Sequence, residues 1–164
     1  MSIRVIAAGG TFDKLYDPIQ GQLVFGASQL PAVLERARIS APVSFEPLPL
    51  LDSLDMGAAD RQRILDACRN AAEQRIVIVH GTDTMAATAQ VLNAAQLGKT
   101  IVLTGAMVPY RIAASDALFN FGFAFGIVQT LAAGVYVGMN GQVFGADSVW
   151  KDRAHGVFRA APEP

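Results

Sequence analysis

The chain has 164 residues, 52% hydrophobic and 16% charged, with thirteen basic against fourteen acidic side chains and a net charge of −1. Globular domains usually carry about 25% charged residues, so this composition excludes disorder, and the charge balance provides no basic field for nucleic acid. The length suits one domain with a sizeable core, and sparse surface charge makes homo-oligomerisation the expectation.

In chain order, Ile3–Ala8 reads as a first strand ending at Gly9-Gly10. Ser28–Arg38 sets Leu30, Val33, Leu34 and Ala37 on one side of a helix, with Ser28 suited to the N-cap. Val43–Glu46, between Pro42 and Pro47, reads as a second strand. A helix beginning at Asp55 or Ala59 carries Ile64, Leu65, Cys68 and Ala72 at helical spacing. Arg75–Val79 and Thr100–Thr104 lack polar alternation, the pattern of strands covered on both faces. Between them Thr84–Leu97 reads as a helix that Gly98 stops. Ser115–Ala133 then reads as a buried helix, Val135–Met139 as a buried strand, and Arg159–Pro164 as a tail.

Strand–helix alternation with short connections predicts an α/β fold, a three-layer open sandwich with a mainly parallel sheet, as one domain over residues 1–164. The stretch Ala117–Ala146 holds no charged residue, yet Asn120, Gln129, Thr130 and Asn140 interrupt it and Gly134 and Gly138 divide it. A membrane span is therefore not expected. The start of the chain has too short an apolar run before Gly9-Gly10 for a signal peptide, and the lone Cys68 fits a reducing compartment, so a cytoplasmic location is expected. His80 and His155 with one cysteine cannot supply a structural zinc site of the usual spacing.

Ligands of open α/β sheets bind where strands end at their carboxyl edge, which directs attention to the loops Gly9–Asp17, His80–Asp83 and Gly105–Ser115. Gly9-Gly10-Thr11 presents a hydroxyl after two glycines that permit close backbone approach. No phosphate loop or dinucleotide fingerprint occurs, so nucleotide binding has no support. His80-Gly81-Thr82-Asp83-Thr84 opens a helix, where capping side chains and free N–H groups able to meet an oxyanion coincide. Asp52-Ser53-Leu54-Asp55-Met56 reads by itself as a cap, Gly105-Ala106-Met107 as a turn, and Lys151, beside Asp147, Trp150 and Asp152, as a surface charge.

Taken in order, Gly9-Gly10-Thr11, Ser53-Leu54-Asp55-Met56, His80-Gly81-Thr82-Asp83-Thr84-Met85 and Gly105-Ala106-Met107 resemble the bacterial-type L-asparaginase family from about Ile3 to Phe158. The chain looks like that family's N-terminal domain, with the smaller C-terminal domain absent. The resemblance implies a cofactor-free, metal-free amidohydrolase that converts L-asparagine to L-aspartate and ammonia through an acyl-enzyme. It implies Thr11 as nucleophile, Tyr16 as its helper in the following loop, and Thr82, Asp83 and Lys151 as the proton relay. Ser53 would hold the substrate carboxylate, Asp83 its α-amino group, and the Ala106 carbonyl would face the departing nitrogen. A threonine hydroxyl needs a neighbouring base, and either Tyr16, or Lys151 acting through Thr82, could serve. Leu54 stands where the family usually has glutamine, and Ala8 where a threonine is common. Two other readings compete: a catalytically silent amino-acid-binding or regulatory module, and the amidase subunit of a tRNA-dependent amidotransferase, for which the chain is short and insufficiently basic.

Overall fold

A computed structural model describes residues 1–161. Six strands form the central sheet: β1 (Ile3–Gly9), β4 (Val43–Leu51), β5 (Arg75–Val79), β6 (Thr100–Thr104), β7 (Gly134–Met139) and β8 (Gln142–Gly145), in the order β4-β1-β5-β6-β7-β8. All neighbouring pairs are parallel except β7 with β8. Two antiparallel hairpins stand apart from the sheet, β2 (Lys14–Asp17) with β3 (Gln22–Phe25), and β9 (Val149–Asp152) with β10 (Val157–Ala160).

Strand side chains alternate between two helical layers, which makes the three-layer sandwich expected from the sequence. Ile6, Ile76, Ile78, Ile101 and Leu103 pack with α2 (Ala58–Asn70) and α3 (Met85–Ala94). Val5, Ala7, Val77, Val79 and Val102 pack with α1 (Leu30–Arg36) and α4 (Ala117–Ile127). Burying one side chain of this size contributes about 1.5–3 kcal/mol, so the sheet interior supplies the main driving force. Lys99, 9% exposed, turns its ammonium back to donate to the Cys68 and Ala71 carbonyls at 2.8 and 2.5 Å. A cation there satisfies the carbonyls that the end of α2 leaves free.

Several boundaries differ from the sequence expectation. Strand β4 runs on through Pro47 and Pro49 to Leu51, because it is an edge strand whose pairing to β1 is irregular between Pro47 and Leu51, the places where a strand tolerates proline. Helix α1 is shorter than Ser28–Arg38, and Ser28 Oγ accepts the Leu30 N–H from just outside it. Helix α2 ends at Asn70, so Ala72 lies exposed beyond it. Helix α3 stops at Ala94, and Gln96 turns into the left-handed region at φ 46°. Helix α4 ends at Ile127, six residues before the expected Ala133, as the chain folds into turns whose Val128 carbonyl accepts from Arg75 at 2.5 Å. Arg159 and Ala160, expected in a tail, belong to β10, and the rest of that tail beyond residue 161 lies outside the described residues. Among the described residues no helix is long and apolar enough to cross a membrane.

Candidate active site

The sheet order reverses direction between β1 and β5, since the chain passes from β1 outward to β4 and only then returns to β5. Carboxyl ends of strands at such a reversal leave a crevice between loops. Here the two loops touch. Gly10, at φ 81° and ψ −178°, adopts a backbone open only to glycine, and a Cβ on it would run into the Gly81 backbone. Thr11 and Thr82 are the next residues after these two glycines.

Thr11 opens a short 3-10 turn, Thr11–Asp13, and is partly exposed. Thr82 is 5% exposed. Lys151 reaches the same place from β9, its ammonium 2.8 Å from Thr82 Oγ1 and 2.9 Å from Asp83 Oδ1. Its side chain is only 11% exposed. The hairpin β9–β10 delivers it because Val149 and Phe158 bury themselves in the layer formed by α2 and α3. A lysine that reads as a surface charge is thus drawn inward by its hairpin. The Thr82 hydroxyl also lies 3.7 Å from Met107 Sδ.

Ser53 is 1% exposed and joins the loop after β4 to the start of α3. Its Oγ accepts the Thr84 N–H at 3.3 Å, and its carbonyl accepts the Thr84 hydroxyl at 2.7 Å. Ala106 is fully buried after β6. The loop around it is shaped by two side chains to which the sequence assigns no part in the site: Asp116 accepts from the Met107 and Val108 N–H groups, and Asn120 donates to the Gly105 carbonyl. Tyr16 is not brought to this cluster by any hydrogen bond among the described residues. It sits on β2 opposite Leu23 and is 60% exposed. Arg153 is a further neighbour missed in the sequence, 3.6 Å from Asp83 Oδ1. Only its nearness to Lys151 in the chain hinted at it.

His80, directly beneath Gly81, is fully buried. Its Nδ1–H donates to the Gly81 carbonyl at 2.7 Å, leaving Nε2 to accept the Thr88 hydroxyl at 2.9 Å. Burial pushes its pKa down to about 4. A histidine that is neutral in the fold but protonates near 6.5 when unfolded contributes stability that is complete above pH 6.5 and lost as pH falls toward 4. The loss over that window is about 3 kcal/mol on the scale of 1.36 kcal/mol per unit. Urea unfolding at several pH values should show this slope in the wild type and lose it in His80→Asn. An unchanged slope would mean that the ring does not stay neutral in the fold.

Residues 2–160 match the family model described as "Asparaginase, N-terminal". The chain belongs to the asparaginase family. It is 34% identical to L-asparaginase 1 of Escherichia coli K12 over 128 residues, covering 73% of this chain and 38% of that protein. One component of the glutamyl-tRNA(Gln) amidotransferase of Aeropyrum pernix is 32% identical over 126 residues, covering 72% of this chain and 30% of that one. Among solved structures, the thermostable L-asparaginase from Thermococcus kodakarensis superposes with a TM-score of 0.84 at 27% identity, covering 100% of this chain and 52% of that one. The asparaginase-family chain therefore spans about half the length of these relatives or less.

Proposed function

We propose that this asparaginase-family chain hydrolyses L-asparagine to L-aspartate and ammonia, with Thr11 as nucleophile. The observation that supports this most is the half-buried Lys151–Thr82–Asp83 cluster, held at 2.8 and 2.9 Å beside the loop that carries Thr11. In the proposed reaction the Thr11 hydroxyl oxygen attacks the side-chain amide carbon. Its proton passes by way of the Thr82 hydroxyl to the amine form of Lys151, and then leaves with ammonia. Water hydrolyses the resulting ester and restores Thr11. Backbone N–H groups of Thr11 and Thr82 are the proposed oxyanion donors, each worth about 2.7–4 kcal/mol in such sites. Ser53 is the proposed carboxylate holder, and the Ala106 carbonyl faces the departing nitrogen. Tyr16 joins the site in this scheme when its hairpin closes. We further propose a homo-oligomer, on the low charge of the chain, and a cytoplasmic location, which suits Cys68 as a buried free thiol whose pKa burial raises to about 12.

Thr11→Ala is the deciding variant. It should abolish ammonia release from asparagine, and quenched turnover of the wild type should show an added aspartyl mass on the peptide containing Thr11. Equal rates in both proteins would rule out Thr11. A second reading, a silent amino-acid-binding or regulatory module, is favoured by Tyr16, which stands 60% exposed and makes no hydrogen bond to the cluster among the described residues. Binding of aspartate without any ammonia release from asparagine would support that reading instead.

A further inference from the structure

The turn that carries Thr11 is fixed at both ends to the strand beside it. At its start the Gly10 N–H donates to the Leu51 carbonyl at 2.9 Å. At its end Lys14, the first residue of β2, places its ammonium 2.5 Å from Asp52 Oδ2, thirty-eight residues away. Neither partner is loosely held: their side chains are 19% and 31% exposed. Lys14 also lies over the Phe25 ring at 5.5 Å, and Phe25 is its paired residue across the β2–β3 hairpin. Asp52 uses its other oxygen to accept the Leu54 N–H at 3.1 Å, which closes the turn containing Ser53.

We infer that Lys14 and Asp52 form a clasp that positions the Thr11 turn and the β2–β3 hairpin against the Ser53 turn. Both are positioning residues, since each acts through its neighbours. The pair closes a loop of backbone through Gly10, Lys14, Asp52 and Leu51, with Thr11 inside it, and Tyr16 lies two residues beyond. Asp13 strengthens the same base. Its buried carboxylate accepts from the Ser28 hydroxyl and the Gln29 N–H at 3.0 and 2.7 Å, tying the outgoing end of the hairpin to its return. The hydrogen bond from the lysine keeps Asp52 below the ordinary carboxylate range, so its carboxyl stays ionised through neutral pH. Small displacements of a nucleophile are costly in rate, about 10²-fold for 1 Å, which is why a clasp outside the reacting atoms matters.

The consequence for catalysis rests on the proposed hydrolysis, while the consequence for the hairpin does not. Lys14→Met should lower kcat by about tenfold or more with a smaller change in KM, as expected for a misplaced nucleophile. It should also raise the rate of chymotryptic cleavage at Tyr16, Leu23 and Phe25, read by mass spectrometry, because exposed loop tips released from their anchors are cut first. Asp52→Asn should do the same with almost no change of shape, and decides the matter if Lys14→Met folds poorly. Lys14→Arg should retain most of both properties. Unchanged cleavage and unchanged kcat in Asp52→Asn would overturn the clasp, as would Lys14→Arg behaving like Lys14→Met. Faster cleavage with unchanged kcat would overturn its positioning role. If the wild type itself releases no ammonia, the hydrolysis reading fails, and the cleavage rates still decide whether the clasp holds the hairpin.

Discussion

Lys151→Met is expected to lower kcat for asparagine by about 10²–10⁴-fold, the usual contribution of a positioned proton-transfer group. Binding should survive, because methionine fills the space of the lysine stem and Ser53 keeps its contacts to Thr84. Asp83 keeps Arg153 as a cationic neighbour at 3.6 Å, so the substitution does not strand its charge. Trp150, the sole tryptophan and 44% exposed, adjoins Lys151 and offers a fluorescence signal for aspartate binding. Lost turnover with a preserved binding signal and an unchanged unfolding midpoint is the expected combination. Full turnover in this variant would remove Lys151 from the relay and return Tyr16 as the candidate base.

Gly10→Ala is expected to be among the most destabilising single-methyl additions near the site. Two costs coincide there: a left-handed φ of 81° with extended ψ, and a Cβ directed into the Gly81 backbone, which cannot rotate away. Strain of this kind plus a backbone collision costs about 3 kcal/mol or more. For a domain of this length that lowers Tm by about 6–12 °C. Gly21 is the internal comparison, since it has φ 67° but no atom within 4 Å of the place an added methyl would take. Gly21→Ala should cost only the conformational part, about 1–2 kcal/mol. Thermal melts of both variants check the argument, and equal shifts would show that the Gly10–Gly81 contact is not tight.

The parts of the fold that could be read from the residues are those with a single physical cause. Arg75–Val79 and Thr100–Thr104 are uninterrupted apolar runs because both faces are covered, and both strands have those bounds in the structure. The end of α4 was not legible, for the opposite reason. Its sequence is apolar on every side, so no change of period marks Ile127, and the stop is made by turns whose Val128 carbonyl meets Arg75 from far away in the chain. Four-residue strands such as β2 and β9 mix charged and apolar residues, and only their partners make them strands. The site divides in the same way. Thr82 and Asp83 are adjacent in the sequence and stay together, but the arrival of Lys151 depends on a hairpin whose burial no local pattern announces. The part Asp116 and Asn120 play was not legible because they shape the Gly105–Val108 loop through its backbone, and Asn120 reads locally only as a polar interruption of an apolar stretch.

A proline of β4 bears on how copies of this chain can associate. An outermost strand normally offers a row of free N–H groups on which a neighbouring molecule can extend the sheet, the first step toward a fibril. Pro47 removes a donor from that row at the middle of β4, where the neighbouring residues of even number turn their carbonyls to β1. Intermolecular sheet growth is disfavoured on this flank.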